Sequence, residues 1–179
     1  NIVDITNFIL HETGHPLHAF DYDKIAGHEV IVRRAKDGER FTTLDGVERK
    51  LTADDLMICD AEKPMTIAGI FGGAESGITS STKRVFLESA YFNPVSIRKS
   101  SKRHQIKTDA SFRYERGADP EMVPYAIKRA AILFQELAGA TVAGDIIDIY
   151  PEKIDRAVVE IDFERVERLI GKRIGRESI

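Results

Sequence analysis

The chain has 179 residues, enough for one full domain with a small appendage, and its 42% hydrophobic and 31% charged content excludes disorder. The net charge of −3 provides no overall field for nucleic acid, so any such contact rests on a local patch. A single cysteine, Cys59, excludes an internal disulfide and a cysteine-rich zinc site and fits a cytoplasmic setting, and no apolar run approaches a membrane span or a signal peptide.

The chain opens on Asn1 rather than methionine, which suggests a piece of a longer polypeptide. Residues 2–13 place Ile2, Ile5 and Ile9, with Val3, Phe8 and Leu10, at mostly helical spacing, and Gly14 followed by Pro16 marks the stop. "HPLHAFD" (15–21) reads as a loop. A β-rich stretch follows. "EVIVRRA" (29–35) leads into a hairpin at 40–51, where Asp45-Gly46 is expected to supply the positive φ angles of the turn. "LMICD" and "MTIAGI" are short apolar runs separated by "AEKP", and "RVFLESAYF" (84–92) is a further strand. Two helices come next. Asn93-Pro94 starts the first and Asp119-Pro120 the second, whose expected buried stripe is Met122, Ala126, Ala130, Phe134 and Leu137, with Gly139 as its end. "GDIIDIYP" (144–151) reads as a closing strand. Past Lys153 the composition turns charged and "IDFERVERLIGKRI" reads as a strand entering a helix. A boundary near 152 is expected, with 1–152 as one domain and 153–179 as the truncated start of another. The fold class is α+β, with layered, largely antiparallel, barrel-like sheets and a few covering helices.

Several stretches carry chemistry on composition alone. "TIAGIFGGAESGIT" (66–79) holds Gly69, Gly72, Gly73 and Gly77. It matches neither the dinucleotide fingerprint nor the P-loop, which leaves tight strand packing or the bare floor of a pocket. His18 has no companions at metal-ligand spacing, so it is either a structural histidine or a polar group of a ligand pocket. Period two puts Glu88 on one face with Phe86 and Ala90, where a carboxylate needs a partner. That partner is an internal arginine, Arg113 or Arg116, or a ligand hydroxyl. "RKSSKRHQIK" (98–107) is a solvated basic face or a phosphate contact. "KTDASFRYERGADP" (107–120) reads as a polar network bracing the helix that follows.

Taken together, "NIVDITNFIL", "PLHAFD", "TLDG", "IAGIFGG", "FLESAYF" and "TDASFRYERGADP", in order from Asn1 to about Asp148, resemble the beta subunits of bacterial phenylalanyl-tRNA synthetases. The resemblance implies a post-transfer editing module, which hydrolyses tyrosine wrongly attached to the tRNA for phenylalanine. Ligation itself belongs to another active site. It implies that Glu88 reads the tyrosine hydroxyl and that Gly72, Thr108 and Ala110 line the cavity. It also places His18 near the scissile ester, positioning water, with Thr6 and Asn7 nearby. Lys102 and Arg103 of the basic run are the candidate tRNA contacts. No metal or cofactor is implied for this segment; ATP and magnesium would serve only the parent's synthetic reaction. The implied partners are Tyr-tRNA for phenylalanine and an alpha subunit in an α2β2 heterotetramer, in the cytoplasm and away from membranes. A non-catalytic tRNA-docking or scaffold domain of the same subunit is the alternative.

Overall fold

Asn1 opens the fold as a helix cap, its side chain accepting from the Asp4 amide, and Gly14 closes the helix at φ +74°, a conformation glycine adopts without a Cβ penalty. Helix α1 (Ile2–Thr13) lies between these two signals. The computed structural model describes residues 1–178. Clustering of contacts divides the chain into two units, 1–148 and 149–179.

The first unit holds eight strands: β1 (Leu17–Asp21), β2 (Ile31–Arg34), β3 (Arg40–Thr42), β4 (Glu48–Lys50), β5 (Leu56–Cys59), β6 (Pro64–Ile67), β7 (Phe71–Gly72) and β8 (Val85–Ser89). They form a four-stranded sheet in the order β2-β5-β6-β7 and two ribbons, β1-β8 and β3-β4, with every pairing antiparallel. The expected α+β class holds. Among the described residues no sheet closes into a barrel, so the layered part of the expectation stands and the barrel-like part does not. "HPLHAFD" is not a loop: its last five residues are β1, recruited by pairing with β8. The β3-β4 hairpin turns at the expected place, but Gly46 alone takes a positive φ, +76°. The Gly46 amide donates to the Thr43 carbonyl, and the Thr43 amide to that of Val47, which makes a three-residue loop in which Asp45 keeps an ordinary φ.

Three further helices complete this unit: α2 (Pro94–His104), α3 (Asp109–Tyr114) and α4 (Val123–Ala138). Asn93 caps α2 through the Val95 and Ser96 amides, with Pro94 in the first turn. Asp119 caps a 3-10 turn, Pro120–Met122, that leads into α4. Helix α4 buries Ala126, Ala130, Leu133 and Phe134. Leu137 continues the face of Leu133 and Phe134, but in the last turn of α4 it has run past the cluster and is 71% exposed. Helix α3 lies in the stretch read from sequence only as a polar network.

The β1-β8 ribbon separates two apolar clusters. Phe20 and Phe86 face the main core of Phe41, Leu51, Met57, Met65 and Ile67. Leu17 and Leu87 face the smaller cluster that α1 and α4 build from Ile5, Ile9, Ala126, Ala130 and Phe134. Alternation along the ribbon sends successive side chains to opposite sides.

Residues 144–151 form no strand, and Ile147 and Ile149 are more than four-fifths exposed. The isoleucine-rich pattern has strand propensity but no strand beside it to pair with among the described residues. In the second unit, residues 153–162 likewise form no strand, and the helical expectation is met by α5 (Phe163–Ile170), capped by Asp162.

Candidate functional site

The pairing of β1 with β8 sets His18 directly across from Glu88, next to the rung Ala19–Leu87. Residues opposite each other in an antiparallel pair project to the same face. This is the face of Phe20 and Phe86, towards the main core. Two polar side chains thus stand side by side among aromatics.

The His18 Nε2 and the Glu88 carboxyl find no hydrogen-bond partner among the described residues. The Nε2 of His18 is buried without a hydrogen bond, and its ring meets Phe20 edge-on at 4.4 Å between centroids. Burial pushes its imidazole down to about 4, so the ring is neutral across the physiological range. Glu88 has no hydrogen bond or ion pair among the described residues. Arg113 and Arg116, the two internal partners considered from sequence, are engaged elsewhere. Both guanidinium groups lie over the Phe112 ring, and Arg116 also bonds Glu115 and the Phe112 carbonyl. Burial pushes the Glu88 carboxyl up to about 8. The residue nevertheless keeps part of its surface exposed. Its neighbours thus strip water from the carboxyl without sealing the residue off from solvent.

The glycine segment lies against His18. A Cβ on Gly72 would stand 2.9 Å from Leu44 Cδ1 and 3.1 Å from His18 Cε1, so the bare backbone lets the His18 ring and the hairpin tip approach. Gly73 meets the Met65 carbonyl and the Phe41 ring in the same close manner, which is strand packing. At both glycines the space of the missing side chain is taken by close neighbours, as the packing reading expects, and at Gly72 one of those neighbours is His18. Leu44, which nothing in its spacing singles out, covers Gly72 from the β3-β4 turn, and its amide donates to the Gly72 carbonyl at 3.0 Å.

Thr108 caps α3, accepting from the Ser111 amide, and donates its hydroxyl to the Ile70 carbonyl at 2.9 Å. That bond ties α3 to the turn that precedes Gly72. Ala110, the second residue of α3, packs against the main core. Thr6 and Asn7 are less closely involved. Thr6 is buried on α1 with its hydroxyl donating back to the Val3 carbonyl, while Asn7 is exposed. Neither hydrogen-bonds to His18 or Glu88.

The basic run splits. Lys99 and Lys102 are exposed on α2 and form no ion pair. Arg103 instead binds Asp55 at 2.7 Å and Asp54 at 3.2 Å. Asp55 is fully buried and also accepts from Ser100, His104, and the Thr52 amide and hydroxyl. Burial alone would raise its carboxyl, but the bonds from His104, Ser100 and Thr52 outweigh that and hold it well below the usual range. This knot fastens α2 to the loop before β5 and takes half of the expected tRNA contact into the fold. Sequence gave no sign of it, because its acid and its bases lie some 45 residues apart. Among the described residues no cluster of histidine, cysteine and acid groups is arranged to hold a metal.

The B3/4 domain family matches residues 1–139. The whole chain is 53% identical to a segment of the phenylalanine–tRNA ligase beta subunit of Bacteroides fragilis and 50% identical to one in the subunit of that name from Porphyromonas gingivalis. Over 171 residues it is 53% identical to the Geobacter metallireducens subunit. In each case the chain spans about a fifth of the relative's length.

Proposed function

The chain belongs to the B3/4 domain family, and on that premise we propose that it is the part of a phenylalanine–tRNA ligase beta subunit that hydrolyses tyrosine from mischarged tRNA. The observation that carries this reading is the desolvated, unpartnered pair His18–Glu88 beside a bare glycine wall. Tyrosine differs from phenylalanine by one hydroxyl, and a site that demands the hydroxyl can discriminate by about 10⁴-fold or more. With its carboxyl shifted to about 8, Glu88 is mostly protonated at neutral pH. It then offers the phenol an accepting carbonyl oxygen and a donating O–H, rather than the bare carboxylate expected from sequence. Phenylalanine meets neither, and the buried carboxyl is left unpaired at a cost of about 1–3 kcal/mol.

His18, neutral and shifted to about 4, is a weak base. Its role in this reading is to orient a water against the aminoacyl ester through Nε2. An activated ester needs little more than positioning and stabilisation of the developing oxyanion. Gly72, by lacking a side chain, lets the His18 ring lie close against the backbone of the glycine segment.

The test is deacylation by the full ligase of its tRNA charged with tyrosine or with phenylalanine. Wild-type protein is expected to clear the tyrosyl ester selectively, and Glu88→Ala to lose that preference by at least tenfold. A silent Glu88→Ala would favour the scaffold alternative, in which Lys102→Glu weakens tRNA affinity while deacylation is unaffected by the glutamate. Lys102 is the better probe of that alternative, because Arg103 is occupied by Asp54 and Asp55.

A further inference from the structure

Pro16 and Ala90 flank the rung Leu17–Ser89, one residue beyond the last pair of the β1-β8 ribbon. The phenolic oxygen of Tyr114 lies 3.1 Å from the carbonyl oxygens of both. Each carbonyl is two residues from a member of the site, Pro16 from His18 and Ala90 from Glu88. A side-chain hydroxyl thus stands where the backbone ladder would have made its next contact.

The tyrosine is itself firmly placed. It is 3% exposed, and its ring meets Phe92 edge-on at 4.9 Å and His15 at 6.2 Å between centroids. A Cβ on Gly69 would stand 3.0 Å from Tyr114 Cδ2, so the glycine turn is shaped around the ring. Tyr114 and Ala110 occupy positions i+4 and i on α3, hence one face of the helix. The Thr108 cap at the start of α3 holds the Ile70 carbonyl, two residues before Gly72. One six-residue helix therefore touches the glycine wall at one end and both site strands at the other. Burial raises the Tyr114 phenol well above its usual range, and Glu88, once ionised, raises it further.

We infer that Tyr114 is a positioning residue, whose hydroxyl staples the open end of the β1-β8 ribbon and fixes the spacing between His18 and Glu88. The inference rests on the function proposed above. It contributes no atom to the substrate; it sets where the two polar groups stand. A ribbon of only two strands lacks neighbours to hold its ends, and a loose Glu88 would read the ring hydroxyl poorly.

The test uses the full ligase and three variants. Tyr114→Phe keeps the ring and removes the staple. Phe92→Leu loosens the ring's packing and keeps the staple. Glu88→Ala reports on the site itself. Tyr114→Phe is expected to lower kcat for tyrosyl-tRNA deacylation about tenfold and to shrink the tyrosine-over-phenylalanine preference, with KM for tRNA unchanged. Amide exchange at His18 and Glu88, the last hydrogen-bonded rung before the staple, should quicken about tenfold, while Met57 and Ile67 in the central sheet keep their protection. Phe92→Leu is expected to lower the melting temperature yet leave the preference intact. A Tyr114→Phe protein with wild-type preference and unchanged exchange at His18 overturns the inference, even when Glu88→Ala behaves as proposed. Equal loss of preference in Phe92→Leu also overturns it, since packing alone would then account for the effect. Absence of selective deacylation in the wild type, or a silent Glu88→Ala, brings down the underlying function and this inference with it.

Discussion

His18 and Glu88 are displaced from their ordinary protonation behaviour in opposite directions by one cause, the loss of water around them. Their effects on stability therefore fall in different pH windows. An unfolded Glu88 ionises above about 4.5 while the folded one keeps its proton to about 8. The fold is thus weakened progressively as pH rises between those values. Unfolded His18 takes a proton below about 6.5 and the folded one does so only near 4. Here the weakening develops as pH falls between those values. Glu88→Gln is expected to stabilise the chain more at pH 8 than at pH 4.5, by about 1–3 kcal/mol after allowance for partial exposure. His18→Gln should show the reverse trend, gaining between pH 7 and 4.5. Urea unfolding across this range measures both, and a gain independent of pH in either variant would contradict the desolvation of this pair. The identities of these two residues were legible in the sequence; their being opposite each other was not. Register is set by long-range pairing, and "HPLHAFD" carries two histidines and a proline where a strand would show clean alternation.

At the scale of elements, the legible ones have local signals. Helix α1 has its cap and its closing glycine, α2 its Asn-Pro start, and the β3-β4 hairpin its Asp-Gly turn. Strand β1 and helix α3 lack such independence. One exists through β8, and the other is too short to show a period. Helix α2 also depends on a distant group, the buried Asp55 that receives Ser100, Arg103 and His104. Asp55→Ala removes the buried acceptor of the His104 imidazole and the Ser100 hydroxyl and leaves the Arg103 guanidinium only the exposed Asp54. The expected cost is about 3–5 kcal/mol, the range for breaking a buried charged pair from one side. Thermal unfolding would register it, and a loss below about 1 kcal/mol would mean that the knot is ornamental. Because the Asp55 carboxyl is held low, its contribution persists to acid pH and fades only well below the ordinary carboxylate range.

At the scale of the molecule, the buried apolar side chains all lie within residues 1–138, while Ile147, Ile149 and Val158 are largely exposed. Residues 140–162 contain neither helix nor strand. Limited proteolysis of this chain is expected to cut within 140–162 first and leave a resistant fragment ending near Gly139. First cuts inside the 73–84 loop instead would place the weak point beside the site. The alternating isoleucines of 144–151 misled the sequence reading because propensity describes what a segment suits, and pairing requires another strand.

The two members of the pair, His18 and Glu88, are roughly seventy residues apart along the chain, joined by a ribbon only five rungs long. Closing so long a loop is an entropic toll met before any of those rungs forms. The pair therefore has no precursor in a half-made chain. The nascent polypeptide has every other strand in hand before Glu88 emerges, so the face that carries this pair waits for the last strand of the chain, and the three helices that pack around it are made later still.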